Sequence, residues 1–395
     1  MKKINIINLG FNPWSSFWKR NQTIVAMLSL EKFVNKVLFL HTDVWLSDLI
    51  KDYKKALTEP HINYYKTIMP KRVNNKITAF SPIILPGAGK FKIVQKAGNI
   101  LKESFIRKYA RNPYILILND PQAEQGMVDN LIKNSQLTIF DYSDDFVEFS
   151  SDPTERDICQ NKCTKYCERS DIVFTVNEKL CKKAKVHNSN AFVIKNATNY
   201  FLFENNDNSL KIRRKIRNFG DKIVGYIGWL NSLRLDINLL IYSIKNNPEV
   251  QFIFMGPNSE PDPLGTEIPK FKNVHILPPV PYYEYPSYLS ALDVCIIPNI
   301  VGPHTEGNDP IKLYDYLASG NPVVCTKTSG TEDFLDYIYC AEDKYQFSEF
   351  IRQAISENSD ISKNKRIEVA KMHSWQIRFA YLSNIIQPHI DSLLQ

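Results

Sequence analysis

The stretch EGNDPIKLYDYLASGNPVV, residues 306–324, has the residue types of an anion-binding helix start. Pro310 suits a first helical turn, because its missing N–H would have had no partner there, and Asn308 or Asp309 is predicted to cap the helix. The free amides of such an N-terminus attract a phosphate, and Lys312 would add a positive charge beside it. The alternative is an ordinary crossover helix with Lys312 in solvent.

A carboxylate in the same stretch could bind sugar hydroxyls. Asp315 follows Lys312 by three residues, so the two side chains project near the same end of the predicted helix. Acidic residues accept hydrogen bonds from ribose hydroxyls in nucleotide-binding folds. Gly320 is predicted to end the helix, and Pro322 to open the next strand. The spacing therefore favours a site that binds both a phosphate and a sugar ring.

Charged residues also follow strand patterns in the first half of the chain. Asp144 and Asp145 come after LTIFDY, where a base could take the proton of an acceptor hydroxyl; alternatively, one of them caps the next helix. Arg20 lies beside Trp18 after the first strand, INIINLG, which ends at Gly10. We expect Gly10 and Arg20 on the acceptor side of a binding cleft, with a helix-surface position as the alternative for Arg20.

The elements that would position these residues alternate along the chain. Apolar runs typical of buried strands are separated by amphipathic segments, which favours parallel sheets with crossover helices. The predicted strands cover residues 4–10, 36–41, 114–120, 137–143, 171–177, 191–196, 222–230, 250–257, 274–280, 294–300 and 322–327. The pattern restarts after a polar segment near 205–220, so two doubly wound α/β units are predicted. In such sheets, ligands bind beyond the carboxyl ends of the strands.

Length and composition agree with two domains. A chain of 395 residues exceeds what one hydrophobic core usually supports. Its residues are 44% hydrophobic and 23% charged, with a mean hydropathy of −0.29, which is typical of a soluble globular protein. No run approaches the roughly 18 apolar residues of a membrane span, and MKKINIINLGFNPW is predicted to be a strand and not a signal peptide. Seven cysteines without paired spacing favour a reducing cytoplasm.

Positive charge is concentrated between residues 51 and 112. This segment has fourteen Lys or Arg and three Asp or Glu, a net charge of +11, whereas the whole chain has +7. Such a surface attracts a polyanion; the alternative is a solvated surface without a partner. The tract 90–111 interleaves lysines with apolar residues and could lie on an anionic membrane leaflet. No base-stacking platform or recognition helix is present in the pattern, so nucleic acid is not an expected partner.

Two other patterns bear on metals and dinucleotides. Cys159, Cys163 and Cys167 lie on one stripe of a predicted helix, but no histidine is near them and no C-x-x-C is present, so a packed stripe is expected instead of a metal site. We find no D-x-D between strands and expect no bound metal. The first glycine loop, NLGFNPW, lacks G-x-G-x-x-G, which argues against a dinucleotide-dependent dehydrogenase.

Several stretches together resemble the group 1, family 4 type of GT-B glycosyltransferases. DPIKLYDYLASGNPVV is similar to the family's nucleotide-sugar motif, P-x-K-x-x-E-Y-L-A-x-G-x-P-V-V. VGYIGWLNSLRLDINLL, VQFIFMGP, NVHILPPVPYYEYPSYLSALDVCIIP and HSW are similar to later landmarks, and FWKRNQ and FDYSDDFVEF resemble the branch of the teichuronic-acid-type transferases. The resemblance covers about residues 1–390 and is densest in 222–327.

The resemblance implies an α/β GT-B fold of two Rossmann-like, doubly wound domains that face each other across a cleft. The implied parts are an acceptor-binding domain over 1–205, a linker over 206–220, a nucleotide-sugar-binding domain over 221–372 and a C-terminal helix over 373–395 that crosses back to the first domain. Within that last segment, HSWQIRFAYLSNIIQPHIDSLL has apolar residues at helical spacing.

The resemblance also implies roles in donor binding. Gly228 would let the backbone approach the diphosphate, Arg234 and Lys312 would be cations on it, Asp315 would hold the ribose, and the backbone near Pro281 would contact the base. A simple strand-end turn at Gly228 and a surface charge at Arg234 are the alternatives.

The chain departs from the family at its paired glutamates, which have the pattern E-x7-E. Asp315 stands at the second position and Gly307 at the first, with Glu306 one place earlier. Either Glu306 or Asp309 would replace the missing carboxylate, or backbone groups and Lys312 would stabilise the donor without it.

The implied function is transfer of a sugar from a nucleotide-sugar donor to a saccharide or lipid-linked acceptor in bacterial surface polysaccharide synthesis. The implied reaction retains the anomeric configuration and needs no bound cofactor, and the expected location is the cytoplasm, at the inner face of the cell membrane. Asp144, Asp145 and Glu306 are the candidate catalytic residues. The alternative is a non-catalytic sugar-nucleotide-binding protein of the same fold.

Overall fold

The computed structural model divides the chain into two compact units. One consists of Met1–Ile194 with Phe379–Gln395, and the other of Lys195–Arg378. The residues that the structure describes are 2–12, 14–15, 17–41, 44–45, 69–84, 102–121, 123, 125–204, 209–257, 262–357 and 359–395.

The first unit is built on an eight-stranded sheet. Its strands are β1 (Ile4–Gly10), β2 (Val34–His41), β4 (Lys71–Arg72), β5 (Ile77–Phe80), β7 (Tyr114–Leu118), β8 (Leu137–Tyr142), β9 (Ile172–Thr175) and β10 (Ala191–Val193). Two further short strands, β3 (Val44–Trp45) and β6 (Ile83–Ile84), pair with each other in a separate sheet. The order is β10-β9-β8-β7-β1-β2-β5-β4, and only β4 runs antiparallel to its neighbour. The chain leaves β1 towards β2 on one side and returns to β7 on the other, so the sheet is doubly wound.

The second unit repeats this plan with six parallel strands. They are β11 (Ile223–Ile227), β12 (Gln251–Met255), β13 (Val274–Leu277), β14 (Val294–Ile297), β15 (Val323–Thr326) and β16 (Tyr339–Ala341). Their order is β13-β12-β11-β14-β15-β16. The winding reverses between β11 and β14, and a ligand is expected near the carboxyl ends of strands at such a point. The predicted pair of doubly wound α/β units is confirmed.

Helices connect the strands on the faces of both sheets. Their bounds are Arg20–Leu30, Gln125–Asn134, Pro153–Arg169, Glu178–Lys185, Phe201–Glu204, Ser209–Arg217, Ile237–Asn246, Pro263–Thr266, Tyr285–Leu289, Pro303–Glu306, Ile311–Ser319, Lys344–Ser356, Asp360–Met372 and Trp375–Leu394, and helix also covers 102–110. Several begin at residues whose side chains accept from first-turn amides, as Asp152, Asn177 and Asp236 do.

Most of the strands that the sequence predicted are buried on both faces, although only one of the four residues of β13 is buried. Every residue of β1, β7, β8 and β11 is buried, so each reads as a continuous apolar run. The prediction missed β5, whose residues alternate between buried and half-buried, and β16, whose first two residues are half-buried. It also missed the two-residue strands β3, β4 and β6. In the last helix, Trp375, Leu382 and Ile386 are buried, as their helical spacing predicted.

The segment 206–220, predicted as a linker, contains a helix of the second unit. Ser209–Arg217 has apolar residues at helical spacing, and Ile216 is fully buried in that unit's core. Arg217 extends from the same helix to pair with Asp293. Residues 209–217 therefore belong to the folded second unit.

Most of the basic segment 51–112 lies outside the described residues, and so do Lys90, Lys92 and Lys96. In the described part, Ile106 is buried in the first unit's core and Phe105 packs against it. These two apolar side chains contact protein, so they are not part of a membrane-facing surface. Among the helices that the structure describes, none has the length and apolar content to cross a bilayer.

Candidate functional site

Two residues predicted to bind a diphosphate meet at the carboxyl end of β11. Gly228 has a φ of +153°, and a Cβ on it would lie 2.1 Å from Lys312 Cε and 2.9 Å from the Tyr226 hydroxyl. The Lys312 side chain therefore crosses directly over Gly228. Its Nζ lies 5.2 Å from the centroid of the Tyr226 ring, within reach of a cation–π interaction. Glycine is needed here to admit the lysine.

The loops after β11 and β12 are also in close backbone contact. A Cβ on Gly256, whose φ is +159°, would lie 1.8 Å from the carbonyl oxygen of Gly228. The Gly228 N–H donates to the carbonyl of Met255 at 2.9 Å. The two glycines thus place two strand-end loops side by side next to Lys312.

Arg234 contributes a second positive charge near the same phenol. Burial raises the pKa of Tyr226, and the charge of the nearby Arg234 guanidinium opposes that rise. The Tyr226 hydroxyl donates to the carbonyl of Trp229 at 3.2 Å. Arg234 is exposed and Lys312 is half-buried. Both predicted phosphate cations are therefore grouped around one buried tyrosine.

The helix Ile311–Ser319 begins differently from the prediction. Its N-cap is Pro310, one position before the expected first turn, and no side chain caps it. Asn308 and Asp309 do not act as caps for this helix; the Asn308 Oδ1 accepts instead from the Asp309 N–H at 2.6 Å. Within this first turn, the Leu313 N–H donates to the Pro310 carbonyl at 2.9 Å. The positive end of the helix dipole faces the residues ahead of Ile311, which is compatible with an anion there.

Asp309 is a buried structural anchor. Its carboxylate accepts from the Asn196 N–H at 2.5 Å and from the Tyr314 hydroxyl at 2.9 Å, and its carbonyl accepts from the Asn196 side-chain amide at 2.7 Å. A Cβ on Gly330 would lie 2.7 Å from Asp309 Oδ1. Asp309 is therefore enclosed by protein groups and fixes the start of the helix.

Asp315 is only 2% exposed. It accepts from the Thr198 hydroxyl at 2.7 Å and from the Tyr282 hydroxyl at 3.1 Å. Burial raises its pKa to about 7, although both hydroxyls and the nearby Lys312 oppose the rise. The carboxyl group thus lies near Lys312, within an inner hydrogen-bonded layer.

The sequence did not predict that segment 196–199 belongs to this site, where it binds both Asp309 and Asp315. Asn196 binds Asp309, Thr198 binds Asp315, and the Asn199 N–H donates to the Tyr282 hydroxyl at 3.4 Å. The signal available in the sequence was a mainly polar run, KNATN, at the end of the predicted strand 191–196. A polar run alone does not identify partners that lie 83 to 117 residues away along the chain.

The remaining donor-side residues lie at the ends of short elements. Pro281 is buried and precedes the 3₁₀ turn Tyr282–Glu284, whose first residue binds Asp315. Glu306 is exposed at the end of the helix Pro303–Glu306, and Gly307 follows it in a buried position. The carboxylate one place before Gly307 thus points to the surface side of this turn.

In the first unit, Arg20 is a buried ion-pair partner and not a helix-surface residue. It is 5% exposed, it binds Asp141 with two nitrogens at 2.8–2.9 Å, and it donates to the carbonyl of Ile194 at 2.6 Å. Asn119 also donates to Asp141, at 2.9 Å, and Asn8 donates to Asn119. These polar groups form a connected network at the carboxyl ends of β1, β7 and β8.

The other first-unit candidates have defined surroundings. Asp145 is 1% exposed and pairs with Lys183 at 2.6 Å, while Asp144 beside it is half-buried. The Asp145 carboxylate thus has a cationic partner within the folded first unit. Gly10 is buried where β1 ends, and a Cβ there would lie 2.9 Å from the Phe39 ring.

The cysteine stripe is packed as expected. Cys163 and Cys167 are in the first unit's core, and Cys159 packs against it. Within the ranges described by the structure, no three His, Cys, Asp or Glu residues are grouped so that they could hold a metal ion.

The second-unit arrangement suits a phosphorylated ligand with a sugar or ribose attached. Lys312 and Arg234 supply positive charge, and the uncapped start of the helix Ile311–Ser319 supplies oriented amides. Asp315 and its hydroxyl partners lie one turn further along. Positive charge and dipoles of this kind stabilise negative charge that develops on a leaving phosphate.

Comparison with known proteins agrees with this geometry. A family model described as glycosyl transferase-like matches residues 234–384. A Bacillus subtilis (strain 168) protein, whose name gives it as a teichuronic acid biosynthesis glycosyltransferase, TuaH, is 24% identical over 222 residues. That match covers 54% of this chain and 55% of the relative, so the two are aligned over about half of their lengths.

Solved structures match the chain over nearly its whole length. HepE of Anabaena, in complex with UDP-glucose, has a TM-score of 0.66 at 14% identity and covers 100% of this chain and 99% of its own. Sucrose-phosphate synthase of Thermosynechococcus elongatus has a TM-score of 0.69 at 13% identity, with coverage of 99% and 100%. The resemblance predicted from the sequence is therefore confirmed: residues 234–384 match the glycosyl transferase-like family model, and the chain has the GT-B fold of these solved structures.

Proposed function

We propose that this protein is a glycosyltransferase that takes a sugar from a UDP-sugar and transfers it to a saccharide or lipid-linked acceptor. The observation that carries the proposal is the position of Lys312, which crosses Gly228 next to an uncapped helix start. HepE, a structural relative, has been solved with UDP-glucose, which supports uridine as the base. The name of TuaH supports a product in a cell-surface polysaccharide.

In the proposed reaction, the bond from the sugar to the diphosphate breaks, and the diphosphate oxygen gains negative charge. Lys312 and Arg234 would stabilise this charge together with the first amides of the helix Ile311–Ser319. Asp315 would accept from the ribose through a shift of its hydroxyl partners. We further propose retention of configuration without a resident metal, so that charge stabilisation comes from protein groups.

Replacement of Lys312 by Ala tests the donor site. Charge-assisted hydrogen bonds contribute about 1.5–3 kcal/mol, so the Kd for the donor should rise by roughly tenfold to a hundredfold. Calorimetry with UDP, GDP, dTDP and CDP would measure the affinity and identify the base. The matched control is Lys344→Ala, which removes a lysine 5.4 Å from the Tyr242 ring in a helix without site residues. Equal donor affinities for wild type and Lys312→Ala would refute the proposal.

A non-catalytic sugar-nucleotide-binding protein is the second candidate. The observation in its favour is that Gly307 occupies the position of the first family glutamate while Glu306 is exposed. Transfer and hydrolysis assays with the nucleotide sugar that binds best would separate the two functions. Binding without turnover in every acceptor mixture would favour the second candidate, whereas turnover that Lys312→Ala abolishes would favour the transferase.

We also propose that the basic segment 51–112 brings the protein to an anionic membrane surface, where a lipid-linked acceptor would lie. The support is the net charge of +11 in that segment. Each basic residue near such a surface contributes about 1 kcal/mol to binding. In the described part of the segment, Ile106 and Tyr109 are in the core, whereas Met69 is exposed. The proposed attraction is therefore mainly electrostatic.

A further inference from the structure

Two cysteines of the second unit lie directly opposite each other on neighbouring strands. Cys325 in β15 is the register partner of Cys340 in β16, and both are free thiols. Neighbouring strands are about 4.8 Å apart, and opposed residues of a parallel pair point to the same face. Disulfides usually join residues with Cα atoms about 4.4–6.8 Å apart. The strand pairing therefore places these thiols within the range of a disulfide.

The two thiols differ in accessibility and acidity. Cys325 is fully buried, whereas Cys340 is partly buried at the edge of the same core. A hydrogen bond from Cys325 lowers the pKa of Cys340 to about 7 against the effect of burial, and Thr331 and Lys327 lower it further. The same bond raises the pKa of Cys325. Cys340 is thus the better nucleophile, because an attacking thiol is most effective when its pKa is near the ambient pH.

The thiol pair is linked to the candidate donor site through one loop. The Cys340 Sγ lies 3.8 Å from the Thr331 hydroxyl, which donates to the carbonyl of Thr328 at 2.6 Å. Between them, Gly330 is so close to the start of the helix Ile311–Ser319 that a Cβ would lie 2.7 Å from Asp309 Oδ1 and 2.9 Å from Pro310 Cδ. A change at Cys340 therefore reaches the residues ahead of Lys312 through two direct contacts.

We propose that Cys325 and Cys340 form a redox-active dithiol, which a low-molecular-weight disulfide oxidises, and that the resulting disulfide weakens nucleotide binding at the adjacent site. The first part depends only on the two cysteines. The second part rests on the proposed function, because it assumes that a nucleotide binds beside Lys312. Loss of the Cys340–Thr331 contact is the structural change that would couple the two.

The chemistry consists of two thiol–disulfide exchanges. The Cys340 thiolate attacks one sulfur of the small disulfide, which forms a mixed disulfide and releases one small thiolate. The Cys325 thiol then attacks Cys340 Sγ, its proton passes to the leaving sulfur, and a second small thiol is released. Two protein thiols are oxidised, and one small disulfide is reduced to two thiols.

A second thiol pair in the chain provides an internal comparison. Cys159 and Cys163 are also hydrogen-bonded, and this bond lowers the pKa of Cys159. They are four residues apart in the helix Pro153–Arg169, where Cβ atoms are about 5–6 Å apart. A disulfide has about 3.8 Å between its Cβ atoms, so the helical pair must close a larger gap than the strand pair, whose strands are about 4.8 Å apart. The strand pair should oxidise first.

Peptide mapping by mass spectrometry tests the first part. The folded protein would be treated with oxidised glutathione, its free thiols blocked, and its peptides examined without reduction. We expect a link between Cys325 and Cys340, a glutathione adduct on Cys340 in Cys325→Ser, and neither product in Cys340→Ser. Cys325→Ala replaces Cys325→Ser if the latter does not fold. Absence of the link in the wild-type protein, or a Cys159–Cys163 link in its place, would overturn the assignment.

Calorimetry tests the second part, with UDP, GDP, dTDP and CDP as the probes. Coupling between sites is typically fivefold or more in affinity, so the oxidised protein should bind its best nucleotide at least about fivefold more weakly than the reduced protein. Dithiothreitol should restore the affinity, and treatment with oxidised glutathione should not change the nucleotide affinity of the Cys340→Ser variant. Equal affinities in both redox states would overturn the coupling. If no nucleotide binds the reduced protein, the proposed function fails, while the mapping result still decides the dithiol.

Discussion

At the residue scale, the candidate site depends on space that only glycine leaves. Lys312 crosses the chain at Gly228, and its Cε occupies the place of a Cβ on that residue. The positive φ of Gly228 also disfavours any residue with a side chain. The absence of a side chain at Gly228 thus leaves room for the Lys312 side chain and for its contact with the Tyr226 ring.

Replacement of Gly228 by Ala should therefore displace Lys312 and strain the backbone. We expect a loss of about 1–3 kcal/mol in the free energy of unfolding and a Kd for the donor raised at least about tenfold. Urea denaturation and calorimetry would measure the two effects. The control is Gly302→Ala, since nothing lies within 4 Å of a Cβ at Gly302. Wild-type donor affinity in Gly228→Ala would contradict the proposed crossing.

Asp315 should make stability depend on pH in a direction opposite to that of most carboxylates. Burial raises its pKa from 3.8 to about 7, so the folded chain holds this proton more tightly than the unfolded chain. Its contribution to the free energy of unfolding is complete below about pH 4 and is lost as the pH rises to about 7. The loss is at most about 1.4 kcal/mol per pH unit.

The Asp315→Asn variant should flatten this decline between pH 4 and pH 7, because an amide does not titrate there. Tyr282→Phe should extend the decline to higher pH, since the Tyr282 hydroxyl lowers the pKa of Asp315. Chemical denaturation across this pH range would show both changes. Parallel pH curves for wild type and Asp315→Asn would show that Asp315 does not have the raised pKa.

At the element scale, the helix Ile311–Ser319 is fixed by residues from a distant part of the chain. Segment 196–199 binds Asp309 before the helix and Asp315 within it. The side chain of Tyr314 closes the arrangement by donating to Asp309. The helix ends at Gly320, which has a φ of +78° and confirms the predicted stop. These contacts, and not a side-chain cap, determine where the helix starts.

Replacement of Asp309 by Ala should leave the Asn196 N–H and the Tyr314 hydroxyl buried without their acceptor. Each unsatisfied group costs about 1–3 kcal/mol, so the second unit should lose roughly 2–6 kcal/mol of stability. Tyr314→Phe removes only one donor and should cost less. Denaturation monitored by circular dichroism would rank the variants. If Asp309→Ala were as stable as Tyr314→Phe, the anchor role would be contradicted.

At the scale of the whole molecule, each unit has its own doubly wound sheet and its own polar groups at strand ends. The second unit holds the candidate donor site, and the first holds the Arg20–Asp141 network. Carboxyl ends of parallel strands meet at one edge of a sheet, so residues far apart in sequence converge there. This is why both groups of candidate residues come from several separate stretches.

The membrane proposal also belongs to the whole molecule. Replacement of Lys90, Lys92 and Lys96 by Gln should weaken binding to vesicles of anionic phospholipid, by about 1 kcal/mol per residue at low salt. The effect should fall as salt screens the charges. Co-sedimentation would measure it. The control replaces Lys179, Lys182 and Lys185, which gives the same change in charge within the helix Glu178–Lys185. Equal losses from both triple variants would contradict a specific basic face.

The amino-acid sequence by itself determined the strands buried on both faces, the two doubly wound units and the helix that begins near Lys312. These features depend on local patterns: continuous apolar runs, helical spacing and the stop at Gly320. The tertiary structure alone decided that Lys312 crosses Gly228, that Asp309 is an anchor and that Arg20 is buried against Asp141. Each of these features depends on a contact between two residues that are far apart in the sequence. Such partners are chosen by the packing of the whole sheet, which no local pattern records.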